Sequence, residues 1–371
     1  MIATRTIPFF NYPALFTCRE EAFMDKIRDV LSRGAYIMQK DLVDFEANLA
    51  EFMGVKHAIG VADGTNALIM SCIAAGFGPG DEVIVPSHTF VASASAIRHA
   101  GATPVLADCG PDHMLDAASA ARMITPKTKG IMPVQLNGRT CNMDEICALA
   151  DKHGLAIVED SCQGLGSKFK GRFAGTFGVA GTFSFYPAKV LGTFGDGGAI
   201  VTNDDKVAAR IQLMRDHGRA ENGDVELFGF NGRLDNLHAA VLDLQFAEYD
   251  QTMARRRAIA AIYQQRLGHL EQLLLPPGPE ADPDHHDIYQ NYEIEADRRD
   301  ELKTFLAENG IGTILQWGGK TLHQFPKLGL RADCPYTETM TARFMLLPMN
   351  MTVTDEDVAY ICDKIEEFYK A

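Results

Sequence analysis

The spacing of apolar positions changes character near residue 55. Before that point, residues 20–33 and 39–52 repeat apolar side chains every three to four positions, as amphipathic helices do, and Gly34 and Gly54 supply their stops. An irregular, apolar arm over residues 1–18 precedes them. From His57 onward, short and nearly continuous apolar runs take over. They cover residues 57–61, 82–86, 104–106, 130–134 and 155–158, and helical patterns near 65–75, 92–99, 115–123 and 143–153 lie between or after them. Runs apolar on both faces, alternating with helices, predict an α/β fold with a mainly parallel sheet covered on both sides. Two further strands flank a glycine-rich turn: one begins at Gly181, the other spans residues 197–202.

Beyond them the pattern predicts one long helix over residues 234–267, stopped by Gly268, and a proline-rich polar loop over 276–286. A strand at 289–294, a helix at 298–309, a strand at 313–317 and a closing helix at 355–369 complete a smaller α+β lobe. The expected division is a large domain over residues 1–250, carrying the arm, and a small domain over 251–371.

Composition narrows the function classes. The 371 residues are 46% hydrophobic and 23% charged, enough to bury a large core. A net charge of −14 disfavours a nucleic-acid binder, but a locally basic site for an anionic small molecule is compatible with it. No run of 18 apolar residues and no cleavable leader pattern is present, so a cytoplasmic protein without membrane contact is expected. The eight cysteines form no CxxC pair and read as reduced thiols. His285-His286 and Cys141/Cys147 lack ligand spacing, so no metal is expected.

Sheets of this class collect ligands past the carboxyl ends of their strands, and the residues there carry chemistry. Asp63-Gly64-Thr65-Asn66 opens a helix after the first strand, where free N–H groups can cradle an anion or simply cap the helix. Ser87-His88-Thr89-Phe90 follows the second; His88 can stack on a ring or serve structure alone. Glu159-Asp160-Ser161-Cys162-Gln163 follows a later one, with Asp160 placed to pair with a protonated ring nitrogen or to cap. Lys189 sits behind Pro187 and ahead of Gly192, Gly195, Gly197 and Gly198, an amine beside bare backbone where a planar ring fits. Singly these are ordinary residues. Together, a phosphate cradle, a stacking ring, a carboxylate and an amine are what pyridoxal phosphate requires.

The phrases Gly181 through Thr202 (GTFSFYPAKVLGTFGDGGAIVT), GDEVIVP at 80–86, TFVA at 89–92 and GFNGRL at 229–234 make the chain resemble the DegT-like nucleotide-sugar aminotransferases, which are fold type I pyridoxal-phosphate enzymes. The resemblance implies a seven-stranded-type sheet in the large domain and pyridoxal 5′-phosphate as cofactor. It makes Lys189 the Schiff-base lysine and Asp160 the partner of the pyridine nitrogen. It places Gln163 near the ring's phenolic oxygen and His88 in the stacking position. Gly64, Thr65, Asn66 and Ser184 become the phosphate cradle, with backbone donors from Thr65 and Asn66. Asn231 reaches the phosphate of a neighbouring subunit, which implies a homodimer with shared sites.

Lys189, where dehydrating relatives carry histidine, favours amino transfer from glutamate to a nucleotide-linked keto sugar. A keto-sugar dehydratase, a keto-cyclitol aminotransferase and a non-catalytic regulatory homologue remain the alternatives. The chain departs from many relatives at Gln316-Trp317, where they carry a His-Tyr pair before a Pro-Leu-His segment. Trp317 can pack on a base or sugar or belong to the core, Lys320 can meet a diphosphate or water, and His323 matches the final histidine of that segment.

Overall fold

The computed structural model describes residues 5–330 and 332–370, so the first four residues of the expected arm lie outside the described residues. Its centre is a seven-stranded sheet: β1 (His57–Val61), β2 (Glu82–Pro86), β3 (Thr103–Ala107), β4 (Thr128–Ile131), β5 (Ala156–Asp160), β6 (Ala180–Ser184) and β7 (Gly198–Thr202). The spatial order is β1-β7-β6-β5-β4-β2-β3. Strands β3, β2, β4, β5 and β6 pair in parallel, while β7 runs antiparallel to both β6 and β1.

The apolar runs became strands because both faces are buried: Val83, Ile84 and Val85 have no exposed surface. Because β7 alone is reversed, its first residue meets the last residues of its neighbours. Gly198 pairs with Val61 on one side and Ser184 on the other, so the ends of β1, β5 and β6 and the start of β7 share one edge. That edge carries the site.

The second lobe packs helices Tyr249–Leu267, Arg299–Glu308 and Asp355–Lys370 around a small antiparallel sheet of Leu273–Leu274, Tyr292–Ala296 and Phe344–Leu347. Ile259, Tyr263, Tyr292, Leu306 and Ile361 are fully buried there. The start of the described arm joins this core: Ile7 is buried among these side chains, donates its N–H to the Gly310 carbonyl at 2.8 Å and accepts from Gly312 N–H at 2.8 Å, whereas Phe16 at its end packs on Phe23 and Phe194.

Several expected elements differ, and the arm expected to be irregular carries a short helix at Tyr12–Thr17. The single helix over 234–267 is two, Asn236–Phe246 and Tyr249–Leu267, separated at Ala247-Glu248. The first packs on helices Glu20–Ser32 and Lys40–Met53, whereas the second carries Ile259, Tyr263 and Leu267 into the small-lobe core, so the chain must turn between two cores. The strand at 313–317 is absent. Only Ile314 bridges to Leu346, and the chain then tightens into a turn at Gln316–Gly318 with Trp317, Gly318 and Gly319 all left-handed (φ 51°, 74° and 75°). The strand expected at 289–294 lies slightly later, at Tyr292–Ala296.

Candidate active site

At the shared edge a cavity of about 640 Å³ opens, and Lys189, Asp160, Gln163, Gly64, Thr65, Asn66, Ser184 and Trp317 all line it. Seven of these are bound to the large lobe by the sheet. Trp317 arrives from the other lobe.

Lys189 is held by a turn that no regular element supplies. Its N–H donates to the Tyr186 carbonyl at 2.8 Å, and Thr193 N–H returns to the Phe185 carbonyl at 2.8 Å. Gly192 is required at this crossing, since a Cβ there would stand 2.7 Å from the Tyr186 carbonyl oxygen. Gln290, from the small lobe, braces the same turn: its Nε2 donates to the Ala188 carbonyl and its Oε1 accepts Val190 N–H, both at 2.8 Å. Burial lowers the Lys189 ammonium below the ordinary lysine value, and the neighbouring Cys162 and Asp160 only partly oppose this. A lysine of this kind loses its proton more readily than a surface lysine.

The first turn of helix Gly64–Ala74 points into the cavity. Asp63 caps it, accepting Asn66 N–H at 2.8 Å, while Asn66 Nδ2 donates back to Asp63 at 2.6 Å. The expectation of a backbone donor from Asn66 is therefore corrected: its N–H is already committed to the cap. The N–H groups of Gly64 and Thr65 are left facing outward, with the Ser184 hydroxyl beside them. A Cβ on Gly64 would stand 2.8 Å from Ser184 Cβ and 3.0 Å from Cys162 Sγ, and one on Gly198 would stand 2.5 Å from the Asp63 carbonyl. Gly64 and Gly198 are thus bare backbone by steric necessity, which leaves room for a phosphate.

Asp160 ends β5 and is buried. Its Oδ2 accepts the Ser93 hydroxyl at 2.6 Å, and its Oδ1 accepts Cys162 N–H at 3.2 Å. Thr89 Oγ1 is in turn 2.8 Å from Ser93 Oγ, so the loop after β2 and the first turn of the helix Val91–His99 together fix the carboxylate. Gln163 Oε1 accepts Asn137 N–H at 2.8 Å and Asn291 Nδ2 at 3.3 Å, which leaves its NH2 as a donor toward the cavity.

Four expected residues lie away from this cavity. His88 is corrected: its ring is fully buried, with Nε2 3.0 Å from Glu293 Oε1 of the small lobe. Phe90, two residues on and half exposed, lines the cavity instead. The available signal was a large aromatic at the mouth of a helix, where no core exists to receive it. Asn231 is exposed and accepts from Arg233 Nη2 at 2.7 Å. Lys320 is exposed, 6.0 Å from the Phe325 ring centre, and His323 Nδ1 is 2.6 Å from Ser87 Oγ. Tyr186 and Asp196 line the cavity without having been anticipated.

No helix among the described residues is long and apolar enough to cross a membrane. The sequence pattern of the DegT/DnrJ/EryC1/StrS aminotransferase family matches residues 17–366. The chain is 36% identical to a pleiotropic regulatory protein of Geobacillus stearothermophilus over 98% of this chain and 99% of that one. It is also 36% identical to dTDP-3-amino-3,4,6-trideoxy-alpha-D-glucose transaminase of Streptomyces venezuelae, over 98% and 97%. Among solved structures, S. venezuelae DesV in complex with a ketimine intermediate superposes with a TM-score of 0.95 at 36% identity, covering 99% of this chain and 100% of that one.

Proposed function

Because the chain belongs to the DegT/DnrJ/EryC1/StrS aminotransferase family, we propose that it is a pyridoxal-phosphate aminotransferase carrying an amino group from glutamate to a keto sugar linked to a nucleotide. The observation that carries this reading is the convergence of the Lys189 amine, with its lowered pKa, and the buried Asp160 carboxylate on one cavity beneath an open helix N-terminus.

The residues present fit the cofactor. Gly64 and Thr65 N–H and the Ser184 hydroxyl would take its phosphate, Asp160 would keep its ring nitrogen protonated, and Gln163 NH2 would face its phenolic oxygen. Phe90 would lie against the ring. When bound, the cofactor supplies an electron sink for the carbon that exchanges nitrogen. Lys189 Nζ is the group that would hold the cofactor's aldehyde carbon and, when free, carry a proton to and from the substrate carbon. Its depressed pKa keeps more of it neutral, the form that can accept that proton.

A homodimer is part of the proposal. Asn231 and the fully exposed Phe228 are open to solvent and do not line the cavity of their own chain, as residues that serve a neighbouring subunit would be.

Incubation of the holoenzyme with glutamate and a panel of nucleotide-linked keto sugars tests the reading. 2-Oxoglutarate should accumulate beyond one equivalent per enzyme only when a suitable sugar is present, and borohydride should fix the cofactor to Lys189. A reducible link to Lys189 with no amino transfer to any sugar would leave a pyridoxal-phosphate enzyme of another reaction, and no link at all would reject the reading.

A further inference from the structure

The departure at Gln316-Trp317 has a partner 23 residues earlier in the sequence. Glu293, in the middle of the small-lobe sheet, is buried and takes four donors. His88 Nε2, His113 Nδ1 and Asn137 Nδ2 approach its Oε1 at 3.0, 2.7 and 3.0 Å, and Gln316 Nε2 approaches its Oε2 at 3.1 Å. These are hydrogen-bond separations. Three of the loops involved are left-handed at non-glycine residues: His113 (φ 65°), Asn137 (φ 55°) and Trp317 (φ 51°). Such conformations are costly and persist only where their surroundings fix them. The Trp317 indole lies 5.1 Å from the His88 ring and lines the cavity that also holds Lys189.

We propose that Glu293 is a positioning residue for the acceptor: it fixes the left-handed Gln316-Trp317 turn so that the indole forms the wall against which the pyranose C–H face of the keto sugar packs. This rests on the aminotransferase reading above. Only a carboxylate satisfies the arrangement. Gln316 Nε2 also donates to Asn137 Oδ1, so turning the Gln316 amide round would set two oxygens against each other. A glutamine at 293 would keep one carbonyl oxygen for Asn137, and thus the Gln163 side of the cavity, while its NH2 would face that of Gln316.

Trp317 is the only tryptophan of the chain, so its fluorescence reports the wall directly. In the holoenzyme, Glu293→Gln should shift the emission to the red and make it more readily quenched by acrylamide. It should raise the keto-sugar nucleotide concentration for half-maximal turnover by about 10-fold or more, the effect of losing one hydrogen bond to a charged group. The glutamate half-reaction, followed by the cofactor's absorbance, should stay within roughly 3-fold, because Glu293 touches neither Lys189 nor Asp160. Gln316→Ala, which cuts the same link, should reproduce both changes and replaces the first variant if that one does not fold. Unchanged fluorescence and acceptor dependence would overturn the proposal, and so would an equal loss in both half-reactions. If the wild type aminates no sugar nucleotide, the functional reading fails, while the fluorescence of the variants still decides whether Glu293 sets the turn.

Discussion

Asp160 and Glu293 are both buried carboxylates, one in each lobe; Asp160 lines the Lys189 cavity whereas Glu293 bonds the Gln316 side chain beside Trp317, and their hydrogen bonding assigns them different tasks. Asp160 receives two donors, the Ser93 hydroxyl and Cys162 N–H, and retains acceptor capacity for an external cation. Glu293 receives four and has none to spare. Burial alone would raise the Glu293 carboxyl, but the His88 and His113 contacts more than offset it and hold it far below the usual carboxylate range. A carboxylate short of donors is prepared for a ligand, whereas a saturated one stiffens the walls around it.

The sharpest way to break the comparison is at the amine both regions surround. Lys189→Ala should lower amino transfer by about 10³-fold or more, since it removes the amine proposed to move the proton. Formation of 2-oxoglutarate in single-turnover mixtures measures it, and a loss of less than about 10-fold would detach the chemistry from this cavity. Next comes the open carboxylate. Asp160→Asn preserves size and can still accept from Cys162 N–H, yet it cannot hold a ring nitrogen protonated. A fall of about 10²–10³-fold in both half-reactions is expected, in contrast to the acceptor-side effect of Glu293→Gln. Equal profiles for the two variants would erase the distinction.

That contrast also explains what could be read from the chain. Asp160, Gln163, Lys189 and the Gly64–Ala74 helix start are placed by local rules: each follows an apolar strand whose two buried faces make its position plain, so strands such as His57–Val61 and Glu82–Pro86 coincide with their expected bounds. Glu293 is different. Its donors come from positions 88, 113, 137 and 316, up to 205 residues away from it, and no periodicity connects them. The same distance effect applies to His88, whose contact with Glu293 of the small lobe no local pattern announces. It also hid the break at Ala247-Glu248, where no glycine or proline marks the change of core. Local sequence shows what an element is, but a contact between lobes becomes visible only once both have been placed.

A smaller and continuous test uses pH. Burial works against the His113 imidazolium, but the carboxylates of Glu293 and Glu295 overcome it and raise its pKa from 6.5 to about 9. His88 and Asn137 face it through Glu293, and Tyr336 and Arg343 face it through Glu295. A raised histidine contributes stability that is whole below its unfolded pKa near 6.5 and disappears as pH climbs through about 9. Its full size is on the order of 3 kcal/mol. The denaturation midpoint should therefore fall between pH 7 and 10 in the wild type and fall less in His113→Gln, measured by urea unfolding at each pH. Parallel curves for the two proteins would show that the imidazolium does not tie the lobes together.

The least effect, and the finest discrimination, lies within four residues of one loop. Phe90 lines the cavity and is half exposed, so its face is free for a planar ligand, while His88 has been given to Glu293. An aromatic stacking contact is worth about 0.5–1.5 kcal/mol. Phe90→Ala should thus weaken cofactor retention by roughly 2- to 10-fold in equilibrium dialysis and leave folding stability almost untouched, because no core loses the ring. His88→Ala should do the reverse, lowering the unfolding midpoint by removing a donor from a buried carboxylate while altering cofactor affinity less than Phe90→Ala does. If His88→Ala instead releases the cofactor and Phe90→Ala does not, the ring packs on the histidine after all, and the lobe contact seen at Glu293 must open when the cofactor binds.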